Sequence, residues 1–149
     1  MAGTTSHVAR RATHEDANLL LRLYEIRREE RLRKAREWFA KNFQASTVEE
    51  FQKLCPIGSE ENASFRMVVS YWDMAASFVT EGILHEKLFT QNSRELLFVW
   101  ERIRDIVPTM REIFENANLS RNLEGVAAAM VDDRLPESAF GVEAKSFPY

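Results

Sequence analysis

The stretch SEENASFRMVVSYWDMAASFVTEG, residues 59–82, decides the fold of this chain. Phe65, Val68, Val69, Trp72, Ala75, Ala76 and Val79 recur at the three-to-four spacing of one helical face. Met67, Tyr71, Met74 and Phe78 line the adjoining face, so neighbours must wrap this helix on most of its circumference. Ser59 stands where an N-cap belongs, and Glu60 and Glu61 put negative charge in the first turn. Gly82 supplies the residue on which the helix can end. A helix apolar on nearly all sides belongs at the centre of a bundle.

The flanking sequence supplies the partners. Towards the C-terminus, Leu84 to Phe89 can form one or two turns, and a further helix runs from about Ser93 with Leu96, Leu97, Trp100, Ile103 and Val107 on one stripe. Pro108 interrupts that stripe, which resumes at Met110 and Phe114, so a kinked helix is expected. A last helix from about Leu119 carries Leu123, Val126, Ala127 and Met130. Towards the N-terminus, Thr47 and Glu50 form a capping box for a short helix with Val48, Phe51 and Leu54, which Pro56 and Gly58 end. No Gly or Pro occurs between residues 14 and 55, and Thr13 reads as an N-cap. One helix over about residues 14–43 follows, roughly 45 Å long. No stretch alternates as a half-buried strand would. The expectation is an all-α, single-domain bundle of about five helices with a long N-terminal helix. It comprises a flexible tail over residues 1–12, a helical domain over 13–131 and an extended tail over 132–149.

The long helix has an inconsistent middle. Leu19, Leu20, Leu23, Tyr24 and Ile26 form one apolar patch, and Leu32, Ala35, Trp38, Phe39 and Phe43 form another. Between them lie Arg27, Arg28, Glu29, Glu30 and Arg31, more than one full turn of charge, through which no helical face stays apolar. The reading is that the C-terminal half packs on the domain while the N-terminal half leaves it. Exposed leucines of this kind mark an interface, here for a homodimer. On that reading Leu23→Asp leaves the fold intact and breaks the dimer.

Composition narrows the function classes. The 149 residues hold 45% apolar and 29% charged side chains, the balance of an ordinary globular chain. A single cysteine, Cys55, excludes an internal disulfide framework and an all-cysteine metal site. No apolar run approaches the roughly 20 residues that cross a bilayer, and the N-terminus lacks an apolar secretion segment. A reducing cytoplasm is the expected location, with no membrane partner. Residues 1–44 carry ten Lys/Arg against six Asp/Glu, whereas residues 45–149 carry ten against 17. The basic stretch can contact phosphates or an acidic protein surface. Its interleaved Glu25, Glu29, Glu30 and Glu37 instead support pairs along a solvated helix.

Catalytic signatures are absent from the sequence. It contains no phosphate-binding glycine loop, no G-x-S-x-G, no H-E-x-x-H and no C-x-x-C. Glu81 and His85 share metal-ligand spacing, but Gly82 between them ends the helix, and two ligands make no site. Cys55 has no neighbouring base and reads as a small buried residue. Asp73, set among apolar residues, is expected to point outward or to pair with Arg66, Arg102 or Arg104. Tyr71, Trp72, Asp73 and Trp100 could instead line an aromatic ligand pocket between the central helix and the one that follows it. No basic recognition helix follows a turn, so sequence-specific nucleic-acid binding is not expected.

Tyr71-Trp72-Asp73 through Phe78, Glu81-Gly82-Ile83-Leu84, Phe89 and Trp100-Glu101 resemble a pattern of small bacterial helical domains of unknown function. In that pattern a helix ends at glycine, a leucine-rich turn follows, and the next helix presents a tryptophan. The resemblance implies a helical fold and supplies no activity, cofactor or catalytic residue. The leading expectation is a non-enzymatic interaction protein, without cofactor or metal, that self-associates or docks a partner through its N-terminal helix. The alternatives are a small-ligand sensor using the aromatic pocket, and weak nucleic-acid binding by the basic arm.

Overall fold

The computed structural model describes residues 10–132, and helices are the only regular elements among them. They are α1 (His14–Arg27), α2 (Glu30–Asn42), α3 (Val48–Leu54), α4 (Glu60–Thr80), α5 (Glu86–Gln91), α6 (Arg94–Ile103), α7 (Val107–Ile113) and α8 (Arg121–Asp132). The fold is all-α, as the sequence implies, with eight helices in this range where about five are expected.

The difference arises at two breaks and at the turn after Gly82, which forms the separate short helix α5. The first falls inside the charged run. The Arg28 and Glu29 amides donate to the Glu25 and Ile26 carbonyls, both at 3.1 Å, which tightens the last turn of α1. Glu29 then turns extended (ψ 143°), and its carboxylate accepts from the Leu32 amide as the N-cap of α2. Arg36 fastens the joint. Its Nη1 donates to the Arg27 carbonyl at 3.0 Å, while Nε and Nη2 hold Glu95 at 2.9 and 2.6 Å. The single 14–43 helix is therefore two helices. The second break lies between Ile103 and Val107. Pro108, the second residue of α7, has no amide proton for a continuous helix and sits where a first turn tolerates that loss. A separate α7 replaces the expected kink.

Freed from α2, helix α1 does not leave the domain. Leu23 is 4% exposed within the core, Leu19 and Leu20 pack partly buried against it, and the Tyr71 hydroxyl donates to the Leu23 carbonyl at 2.6 Å. The expectation that residues 14–26 project outward is corrected: the break turns the inner leucines of α1 onto the body.

The centre is α4, with α2 and α8 packed along it. Ser59 caps its start through the Asn62 amide. At its end Gly82 takes φ +74°, and the Gly82 and Ile83 amides return to the Val79 and Phe78 carbonyls, the glycine-terminated cap read from the sequence. Phe39, Phe43, Phe51 and Phe65 join α2, α3 and α4 as an aromatic cluster, with Phe39 and Phe43 stacked at 4.8 Å and Phe43 and Phe65 at 5.1 Å. The α3 cap is modified. Thr47 receives the Glu50 amide, but the Glu50 carboxylate accepts from Ser46 rather than closing the box on Thr47.

Trp72 is 1% exposed at the middle of α4. Trp72→Ala is expected to destabilise the chain by about 3–5 kcal/mol, as large core truncations do. Urea unfolding measures this, and a loss below about 1 kcal/mol would remove α4 from the centre.

Candidate functional site: a cleft behind helix α1

The return of α1 leaves a cleft of about 250 Å³ between α1 and α4, closed by α5 and the turn into α6. Its walls are Leu20, Leu21, Leu23, Tyr24 and Arg27 from α1, Tyr71 and Trp72 from α4, Phe89 from α5, and Asn92 and Ser93 from the following turn. Apolar side chains dominate, and the polar groups are few. Tyr71 is committed: burial pushes its hydroxyl pKa up to about 12, and its proton is given to the Leu23 carbonyl. Trp72 is different, since its buried indole Nε1–H has no acceptor among the described residues. Ser93 is 2% exposed at the start of α6, yet its side chain makes no capping bond. The Arg27 guanidinium lies 4.8 Å from the Tyr24 ring centroid and 5.5 Å from that of Trp72, and it forms no ion pair among the described residues.

Two of the four pocket residues read from the sequence, Tyr71 and Trp72, line this cleft. Asp73 and Trp100 do not. Asp73 faces α8, where its Oδ1 accepts from the Leu123 amide at 3.0 Å and so satisfies an early amide of a helix that begins after Ser120. Arg66, Arg102 and Arg104 turn to Asn62, the Phe43 carbonyl and Asp105 instead. Trp100 packs partly buried against the core. The pocket expected between the central helix and its successor thus lies one side over, against α1. Phe89 is an aromatic that the sequence offers for a cavity, whereas Arg27, Asn92 and Ser93 escape the sequence reading of a pocket, and of these only Ser93, as a helix start, carries a local signal.

The interface residues read from the sequence also separate. Leu23 is core, so Leu23→Asp would attack the fold and is no test of an interface. Leu19 and Leu20 are partly buried, and Tyr24 and Ile26 stay exposed together with Leu21.

A second polar cluster pins the far end of α1. Asp16 is 2% exposed and accepts from Arg10 through two bonds (2.7 and 2.8 Å), from the Thr13 amide and from the His85 amide. With Thr13 receiving the Asp16 amide, this is a full capping box. The Arg10 guanidinium, with the amides behind it, holds the Asp16 carboxyl well below the usual carboxylate range. Arg10, expected within a flexible tail, is therefore fixed; residues 1–9 and 133–149 lie outside the described range. His85 caps α5 by accepting the Leu88 amide on Nδ1, and its Nε2 meets the Arg10 carbonyl at 2.6 Å. Both ring nitrogens of His85 are thereby engaged. No group of three His, Cys, Asp or Glu side chains suited to a metal ion occurs among the described residues. Burial pushes the Cys55 thiol up to about 11, so it is protonated at neutral pH. No helix among the described residues is long and apolar enough to cross a membrane.

The family described as "Domain of unknown function (DUF4760)" matches residues 12–130, and the chain belongs to it. The matched range runs from the start of α1 through most of α8, so the cleft lies wholly inside the family domain. No curated protein and no solved structure matches the chain.

The Asp16 cluster sets a pH dependence. A carboxyl held low in the folded state stabilises the fold above its unfolded pKa, near 4, and that contribution fades as pH falls below it. Asp16→Asn should therefore lower the urea midpoint at pH 7, and its deficit relative to the native chain should shrink at pH 3. An equal deficit at both values would mean that the Asp16 charge does not anchor α1.

Proposed function

We propose that this domain is a non-catalytic binding module whose working surface is the outer side of α1, and that a second copy of the chain docks there. The observation that carries this reading is the division of α1. Leu23 is locked into the core, while Leu21 (59% exposed), Tyr24 (44%) and Ile26 remain outside on a helix fastened at both ends. Leu21 and Tyr24 stand three residues apart and so adjoin on the helix surface. Arg27 and Arg28 flank the Tyr24 ring at 4.8 and 5.4 Å. A fixed aromatic flanked by arginines is the composition that interface centres favour. Charge supports the second copy as occupant. Residues 1–44 as a whole carry ten Lys/Arg against six Asp/Glu, and the remainder of the chain is acidic, so one copy offers the complement of the other. No catalytic constellation enters the reading.

Light scattering on the full chain at micromolar concentration tests it. A dimer is expected, and Leu21→Asp should give a monomer with an unchanged thermal midpoint, because Leu21 is already exposed. A native chain that is monomeric, or a Leu21→Asp chain that remains dimeric with its fold intact, would overturn the assignment.

A further inference from the structure

We infer that the cleft behind α1 is a binding site for a small organic carboxylate with an apolar body, a role beyond self-association. Three of its wall residues, Trp72, Ser93 and Arg27, carry hydrogen-bond donors. The Trp72 indole N–H is buried with no partner among the described residues. Leaving such a donor unpaired is unfavourable, so a wall residue that carries one points to an acceptor brought from outside. Ser93 adds a buried hydroxyl that makes no capping bond to α6. Arg27 adds a guanidinium held over aromatic rings and free of any carboxylate among the described residues. Arg27 and Trp72 stand on facing helices, with the guanidinium carbon 5.5 Å from the indole centroid, so one small anion can address both.

The donor set selects the ligand class. The three groups donate, and one of them is a planar cation that pairs two-pronged with a carboxylate. The rest of the wall, formed by Leu20, Leu23 and Phe89, is hydrocarbon and offers an organic body what it offers no inorganic ion. Size restricts the choice further. A cavity of about 150 Å³ admits benzene, so about 250 Å³ suits an aryl or short-chain aliphatic acid. Tyr71 takes no part in recognition, because its proton already holds α1 at Leu23.

Proton–nitrogen NMR of the tryptophan indoles tests the site in the intact chain. There are three tryptophans, and Trp72→Phe assigns the relevant signal. Benzoate is the probe, and benzyl alcohol is its uncharged counterpart. Millimolar benzoate should shift the Trp72 indole resonance and leave Trp38 unmoved, with benzyl alcohol at least about tenfold weaker. Arg27→Gln should weaken benzoate by about tenfold or more, and Arg27→Lys should fall between, because it keeps the charge and loses the fork. Unchanged circular dichroism in the Arg27 variants confirms that folding is not the cause. The inference fails if benzoate, phenylacetate and hexanoate all leave the Trp72 signal unmoved at tens of millimolar. It fails equally if the alcohol binds as well as the acid, or if both Arg27 variants bind benzoate as the native chain does. Leu21, Tyr24 and Arg27 belong both to the cleft wall and to the proposed docking face, yet the two readings fail separately: a monomeric chain that binds benzoate overturns the dimer and leaves the cleft assignment intact.

Discussion

Five consecutive charged side chains, Arg27 to Arg31, cannot continue a helix that is apolar along one side, and the architecture depends on how the chain resolves that conflict. A straight 14–43 helix would either bury those charges or carry its leucines into water, and each outcome is costly. The chain breaks instead at Arg28–Glu29 and reuses the charges at the joint. Glu29 caps α2, the Arg27 carbonyl accepts from Arg36, and Arg36 anchors α6 through Glu95. These groups keep solvent access or a partner, so the break is compatible with stability.

That resolution also creates the site. Once α1 is free to reorient, Leu23 enters the core and Tyr71 clasps its carbonyl, while Asp16 fastens the other end of α1 to Arg10 and to the start of α5. A helix held at two points need not fill the space between them. The cleft between α1 and α4 is that unfilled space, walled by side chains of α1, α4, α5 and the turn into α6. The same two anchors hold Leu21 and Tyr24 at the surface. Fold, cleft and exposed face follow from one local incompatibility in the sequence.

Local signals made most of the fold legible. The periodicity of residues 59–82 located α4, and Thr13, Thr47, Ser59 and Gly82 marked helix ends, because a cap is a bargain between neighbours in sequence. Contacts between distant residues were not legible. Arg36 meets Glu95 at a separation of 59 residues, Asp73 caps α8 from 50 residues away, and the His85 amide reaches Asp16 across 69. Periodicity also could not divide residues 19–26 into inner and outer faces, since that depends on the angle at which α1 leaves the break. The charged run disclosed a conflict within the single helix, which the sequence reading resolved by projection into solvent and the chain resolves by a break. Half of the cleft was visible as aromatic spacing in α4. The other half comes from Arg27 and Ser93, one within the charged run and one at a helix start, where ordinary solvation is the usual explanation.

The docking of α1 onto the body is the central claim, and native-state hydrogen exchange measures it most directly. Amides of α1 from Leu20 to Tyr24 should exchange only through openings nearly as costly as those of the α4 core, because Leu23 and the Tyr71 bond tie the two helices together. If the α1 amides instead exchange at the rate of a frayed, isolated helix while α4 stays protected, α1 does not dock, and the break, the cleft and the exposed face lose their common cause.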